Sequence, residues 1–128
     1  MYLNDPIADM LTRMRNAQHG RRTECRAPWS RIKEQMCTLI QREGYIEAMR
    51  VDAEGTHKEL VITFLATRPP LELKRISKPG SRRYAKAESF NKILHGFSLA
   101  ILSTSSGLLT HREARQRKMG GEVLCLIA

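Results

Sequence analysis

Aromatic residues are scarce, 5% of the 128-residue chain with a single tryptophan, so a broad surface that stacks single-stranded bases ring by ring is not expected. Cysteine is as sparse. Cys25, Cys37 and Cys125 are odd in number and far apart, and no pair has the C-x-x-C spacing of a zinc or redox motif. They read as reduced, mostly buried thiols of a cytosol-like compartment. His19, His57, His95 and His111 stand at no metal-ligand spacing to them, so no metal is expected. No apolar run approaches the roughly 20 residues of a membrane span, and the first residues lack a basic-then-apolar signal pattern. The expectation is a protein that stays inside and has no membrane partner. Gly120-Gly121 is not followed by the Lys-Ser/Thr of a phosphate-cradling loop, and no nucleotide cofactor is expected.

Acidic charge is the other shortage, and it is unevenly shared. Thirteen acids face 22 lysines and arginines, giving +9 and a pI near 10.0. Residues 1–67 hold 10 basic and 9 acidic side chains, whereas residues 68–128 hold 12 and 4. A solvated face mixes its signs, so an excess gathered in one half points to a polyanionic partner. The 41% hydrophobic content beside 27% charged residues supports a folded core. The length suits one domain or two small ones.

The N-terminal half has clear periodicity. Asp5-Pro6 is a helix-start signature, and Ile7, Met10, Leu11 and Met14 make one apolar face that closes near Gly20. Thr23, Cys25 and Ala27 alternate with charged residues as a half-buried strand ended by Pro28, and Trp29 is expected to anchor the turn. Ser30 caps a second helix with Ile32, Met36, Leu39 and Ile40 inward and Gly44 as its stop. Segments 46–51 and 59–64, joined across Glu54-Gly55, read as a β-hairpin. The order is α-β-α-β-β.

Thr67-Arg68-Pro69-Pro70 cannot continue a central strand, which puts a domain boundary between residues 67 and 68. Beyond it, segments 71–76 and 82–85 read as strands flanking Lys78-Pro79-Gly80, with proline and glycine placed for a type II turn. Phe90, Ile93 and Leu94 suggest a short helix ended by Gly96. Leu99 to Leu102 is a buried-strand run that delivers the loop Ser103-Thr104-Ser105-Ser106-Gly107. Thr110 and Glu113 form a capping box opening a basic helical turn, and segment 122–127 is the last strand. The class is α+β, with two small packed domains, residues 1–67 (α-β-α-β-β) and residues 68–128 (mainly β with short helices).

Four adjacent hydroxyls followed by glycine are suited to close-range hydrogen bonding. A nucleophilic serine would need a base and an orienting acid, and the chain has no G-x-S-x-G elbow. RNA fits more of the pattern, because short hydroxyls suit a shallow minor groove and the 2′-OH while Lys78, Arg82, Arg115 and their neighbours hold phosphates. Tyr84 could stack on a base or pack on its own sheet. Glu122, an acid in so basic a half, either accepts from base amino groups or neutralises an arginine. Arg13 and Arg15 could reach a second RNA segment, or could simply be solvated helix residues.

A family resemblance runs through the chain in order: Asp5-Pro6-Ile7-Ala8-Asp9-Met10-Leu11-Thr12-Arg13 with Arg15-Asn16-Ala17, then Lys74-Arg75-Ile76-Ser77-Lys78-Pro79-Gly80 with Arg82 and Tyr84, then Ala100-Ile101-Leu102-Ser103-Thr104-Ser105 with Gly107, and finally Arg112-Glu113-Ala114-Arg115 with Gly120-Gly121-Glu122-Val123-Leu124-Cys125. These motifs resemble the bacterial-type small-subunit ribosomal protein eight. The resemblance implies a non-catalytic structural constituent of the small subunit that binds a helical junction in the central domain of its RNA and supports assembly. It implies RNA contacts at Ser103, Thr104, Ser105, Gly107, Tyr84, Gly121 and Glu122, with Ser106 at the loop's variable position. Secondary RNA contacts fall on Asp5, Pro6, Arg13, Arg15, Asn16, Ser30 and Lys33. Neighbouring small-subunit proteins are implied partners, as is, in some bacterial members, the messenger RNA of the protein's own operon. The implied location is the ribosome, in a cytoplasm or an organellar matrix or stroma. Ser106, Leu126 and Trp29 depart from the family's usual residues.

Overall fold

The computed structural model describes residues 4–128. It is an α+β chain that gathers into two compact units, Pro6–Leu71 and a second made of Glu72–Ala128 with residues 4–5. In the first unit, α1 (Pro6–His19) starts at the proline and buries Ile7, Met10, Leu11 and Met14, the face its spacing predicts. A three-stranded antiparallel sheet follows, with β3 (Glu59–Thr63) between β1 (Glu24–Pro28) and β2 (Ala48–Asp52). Cys25 and Ala27 point inward opposite Ile62 and Leu60. On the other face Arg26 reaches Glu59 on the adjacent β3 at 3.4 Å and, across it, Asp52 on β2 at 2.9 Å. Trp29 pins the end of β1, its amide donating to Lys58 O at 3.1 Å and its indole N–H to Glu34 Oε1 at 2.6 Å.

Ser30 accepts from the Lys33 amide and caps α2 (Arg31–Arg42), and Gly44 takes φ +83° beyond its end. The buried stripe keeps the expected Met36, Leu39 and Ile40 but replaces Ile32 at its start. Ile32 is 36% exposed while Lys33 is 3% exposed, so the inward series begins at Lys33 and continues through Met36, Cys37 and Ile40. Helical spacing from 33 to 40 keeps one face, and the lysine stem fills its first apolar position. Burial lowers the pKa of the Lys33 ammonium, against the pull of the Asp9 carboxylate.

The second unit is built on β8 (Gly121–Ile127), which pairs with β6 (Leu99–Thr104) along one edge. Its other edge carries β4 (Leu73–Arg75) and β5 (Tyr84–Ala85) end to end, both shorter than the sequence suggests. The connection between them departs from β8 at the turn Lys78–Ser81, where each residue's amide donates to the other's carbonyl. A type II turn needs positive φ at its second central residue. Gly80 is not among the described glycines with positive φ, so the turn is of another type.

One strand has no clear pattern in the sequence: β7 (Gly107–Thr110) pairs antiparallel with β6. Three helical segments complete the unit: a 3₁₀ turn Ala87–Ser89, α3 (Phe90–Leu94) ending in left-handed His95, and α4 (His111–Gln116), opened by the expected Thr110–Glu113 capping box. Phe90, Ala100, Leu102, Leu109, Ala114, Val123 and Leu126 form its core on one face of the sheet, each large side chain contributing about 2 kcal/mol by leaving water. Leu99, Ile101, Cys125 and Ile127 are buried on the opposite face, which explains the unbroken apolar run from Leu99 to Leu102. All three cysteines are buried, and burial pushes the thiols of Cys25 and Cys125 up to about 11 and about 12. Among the described residues no helix is long and apolar enough to cross a membrane, and no three potential ligands gather to hold a metal.

Candidate nucleic-acid interface

The hydroxyl run is the tip of a hairpin, not a separate loop. Ser103 and Thr104 are the last residues of β6, and Gly107, opposite Thr104, opens β7. Ser105 and Ser106 span the turn with negative φ, and Gly107 at φ +96° supplies the left-handed residue that closes a hairpin over such a turn. Strand alternation then separates the hydroxyls. Thr104 lies on the face of the core and is committed locally, donating to Gly107 O at 2.8 Å and accepting from the Ser106 amide at 3.1 Å. Ser103 faces the other way. The hydroxyls of Ser103 and Ser105 have no protein partner among the described residues.

A β-bulge decides what stands beside Ser103. The β6–β8 register runs Ile101↔Cys125 and then Leu102↔Val123, skipping Leu124. Without that extra residue Val123 would sit opposite Ser103 and Glu122 would fall on the core face. With it, Val123 joins Leu102 in the core and Glu122 pairs with Ser103. Glu122 also pairs with Tyr84 on β5, so Tyr84, Glu122 and Ser103 form one row across three strands. The bulged Leu124 carbonyl is taken up by the Ile76 amide at 3.1 Å and the Arg75 guanidinium at 2.7 Å.

Gly120 before β8 and Gly121 at its start let these strands close. A Cβ on Gly121 would lie 2.5 Å from Ser103 O, and one on Gly120 2.6 Å from Ala85 O. Both are backbone atoms within the site.

Glu122 is fixed by two donors, the Ser77 hydroxyl in a short hydrogen bond and Arg82 at 3.0 Å. Its arginine-neutralising role is therefore present. Ser77 is fully buried, and its oxygen also accepts from the Arg83 amide at 3.2 Å, tying the segment before Tyr84 to β8. In the sequence Ser77 stands out only as part of the Lys74–Gly80 motif. Its partner on β8 lies far along the chain, and no local signal reveals it. Burial would raise the Glu122 pKa, but the bonds from Ser77 and Arg82 outweigh it and hold the carboxyl below its ordinary value. A carboxyl depressed in the folded state stabilises above the ordinary glutamate range and loses that contribution as pH falls through its folded pKa. Ser77→Ala should cost about 1–3 kcal/mol at neutral pH, with the gap to the wild type narrowing below the glutamate range. Denaturant titrations at the two pH values check this, and a gap independent of pH would contradict it.

The remaining residues divide between the units. Tyr84 stands 72% exposed, so it does not pack on its own sheet. Lys78 projects at the turn, and Arg115 on α4 is held by Asn91 Oδ1 at 2.6 Å. Asp5 is bound by Arg75, with Nε to Oδ2 at 3.2 Å. Pro6, Arg13, Arg15, Asn16, Ser30 and Lys33 belong to the first unit. There Arg13 bonds Asp9 at 2.8 Å, an exposed pair contributing only a few tenths of a kcal/mol. Asn16 is exposed, Arg15 is half-buried, and Ser30 is committed as a cap. Buried Lys33 does not present its charge to solvent as a surface lysine would. The serine bonded to a carboxylate, Ser77, is closed to any substrate, an arrangement suited to holding a surface and not to nucleophilic attack.

The model of the family described as ribosomal protein S8 matches residues 5–128. The chain is 44% identical over 131 residues to the small ribosomal subunit protein uS8 of Thiobacillus denitrificans, covering the whole of both chains. It is 41% identical over 131 residues to that of Anaeromyxobacter dehalogenans strain 2CP-C, and 43% over 139 residues to that of Macrococcus caseolyticus, with 99% of each chain covered in both cases.

Proposed function

Because this chain belongs to the ribosomal protein S8 family, we propose that it is a structural constituent of the small ribosomal subunit that binds a helical junction in the central domain of the subunit's RNA and supports assembly. The observation that carries the reading is the row Tyr84, Glu122 and Ser103, set beside a hairpin tip with unpartnered hydroxyls. Short hydroxyls on a rigid hairpin match the shallow minor groove of an RNA helix and its 2′-OH groups, while an exposed tyrosine offers a face to an unstacked base. Glu122 can stand near phosphates because Arg82 balances its charge. Around this row the basic excess of residues 68–128 supplies phosphate contacts and an affinity that falls with salt. Residues 1–67 act as a second domain with secondary RNA contacts. Neighbouring small-subunit proteins complete the assembled site, and the protein resides on the ribosome. A messenger-RNA junction of like shape, including one in the protein's own operon, would meet the same surface. No catalytic step belongs to this function.

Ser105→Ala is expected to weaken binding to the central-domain junction fragment by about 1–3 kcal/mol, since an RNA group buried against it loses its partner. A filter-binding or calorimetric titration reads the change. Unchanged affinity would remove the hairpin tip from the interface.

A further inference from the structure

The cations of the second unit are not equivalent. Arg75 is bound to the Asp5 carboxylate and Arg82 to that of Glu122, whereas Arg115 bonds only the neutral side-chain amide of Asn91. Lys74, Lys78 and Arg83 have no side-chain partner among the described residues. These three line a single groove of about 480 Å³ at the β4–β5 edge, together with Tyr84 and His95. Half-buried Ile76 and Ile93 and buried Val123 make its apolar floor, exposed Lys74, Lys78, Arg83, Tyr84 and His95 form its rim, and half-buried Arg75, held by Asp5, also lines it. None of its lining residues is acidic.

Desolvation and pairing separate the two sets. A guanidinium already bonded to a carboxylate gains little by meeting a phosphate, because the pair must first be broken or shared. An exposed, unpaired ammonium or guanidinium is surrounded only by water and counterions, and releasing those ions favours polyanion binding. The groove also differs from the hairpin tip in chemistry. The tip offers neutral hydroxyls suited to base edges and 2′-OH groups; the groove offers charge around an apolar floor.

We propose that this groove is a distinct backbone-gripping subsite, in which Lys74, Lys78 and Arg83 hold consecutive phosphates of one RNA strand while its riboses lie on Ile76 and Ile93. The inference rests on the RNA-binding reading above, and assigns to Lys74 and Arg83 a role that the motif resemblance does not give them. Tyr84 stands at the boundary of the two subsites, where the strand leaving the groove meets the row with Glu122 and Ser103. The groove therefore contributes affinity and orientation, and the hairpin contributes selection of the junction.

The test is the salt dependence of binding. Wild type, the pair Lys74→Gln with Arg83→Gln, and Ser105→Ala are titrated with the central-domain junction fragment over a series of KCl concentrations. The groove pair should bind about 10-fold more weakly and flatten the plot of log affinity against log salt by about one to two. Ser105→Ala should lower affinity at every salt concentration without changing the slope. Both groove substitutions are on exposed side chains, and thermal unfolding should match the wild type. A groove pair with wild-type affinity and slope overturns the proposal, as does a weakened pair whose slope is unchanged. If Ser105→Ala loses affinity and the groove pair does not, the RNA-binding reading survives and the groove assignment alone fails. If the wild type does not bind the fragment, both fail together.

Discussion

Gly121→Ala should destabilise the protein by about 3 kcal/mol and weaken its RNA binding at the same time. The added carbon would lie 2.5 Å from the carbonyl oxygen of Ser103 and 3.0 Å from Thr104 Cγ2. The first of these is backbone in the neighbouring strand, so no side-chain rotation relieves the contact. Either β8 moves away from β6, losing ladder bonds, or the hairpin tip tilts. Overpacking of a closed site costs about 1–3 kcal/mol, and a backbone clash belongs at the upper end. The two strands forced apart are also those that carry Ser103 and Glu122, so the geometry of the row is lost with them. A urea titration measures the stability change, and a variant within about 0.5 kcal/mol of wild type, the range of neutral surface changes, would show that the strands are not locked as described.

Tyr84→Ala should have the opposite profile, leaving stability nearly unchanged while weakening RNA binding by about 1–3 kcal/mol. At 72% exposure the ring buries little of its own surface on folding. A stacked base covers an aromatic face and contributes about that amount in alanine substitutions. Tyr84→Phe should keep most of the affinity, since the face and not the hydroxyl does the stacking. Equal losses in the two variants would mean that the hydroxyl, and not the ring, is recognised. Unfolding and calorimetric binding measured on the same samples separate stability from contact.

The elements legible in the sequence are those encoded locally. The Asp5-Pro6 start, the Ser30 cap, the Thr110–Glu113 box and the alternation of Cys25 and Ala27 each need only a few neighbouring residues, and each lies where its pattern predicts. Phase is harder to read than period. In α2 both Ile32 and Lys33 are compatible with a helical stripe, and only packing selects the lysine stem. Strand β7 escaped because Leu108-Leu109-Thr110 is too short to alternate and runs into a helix cap.

The site was legible as a list of residue types and not as an arrangement. The sequence suggested one surface of four hydroxyls, but strand alternation turns Thr104 away from Ser103 and uses its oxygen to close the turn. The alignment of Tyr84 with Glu122 and Ser103 depends on the register of three strands and on the bulge at Leu124. Ser77 reaches Glu122 by the same long-range pairing. The sorting of cations into paired and unpaired, which sets apart Lys74 and Arg83, likewise requires the folded chain.

Amide resonances followed while unlabelled central-domain junction RNA is added to isotope-labelled protein test the interface most directly. The largest shifts should fall on Ser103 to Gly107, Tyr84, Gly121 and Glu122, with the residues of β1 left in place. A complex that forms while those resonances stay unmoved would show that the RNA is held by another surface.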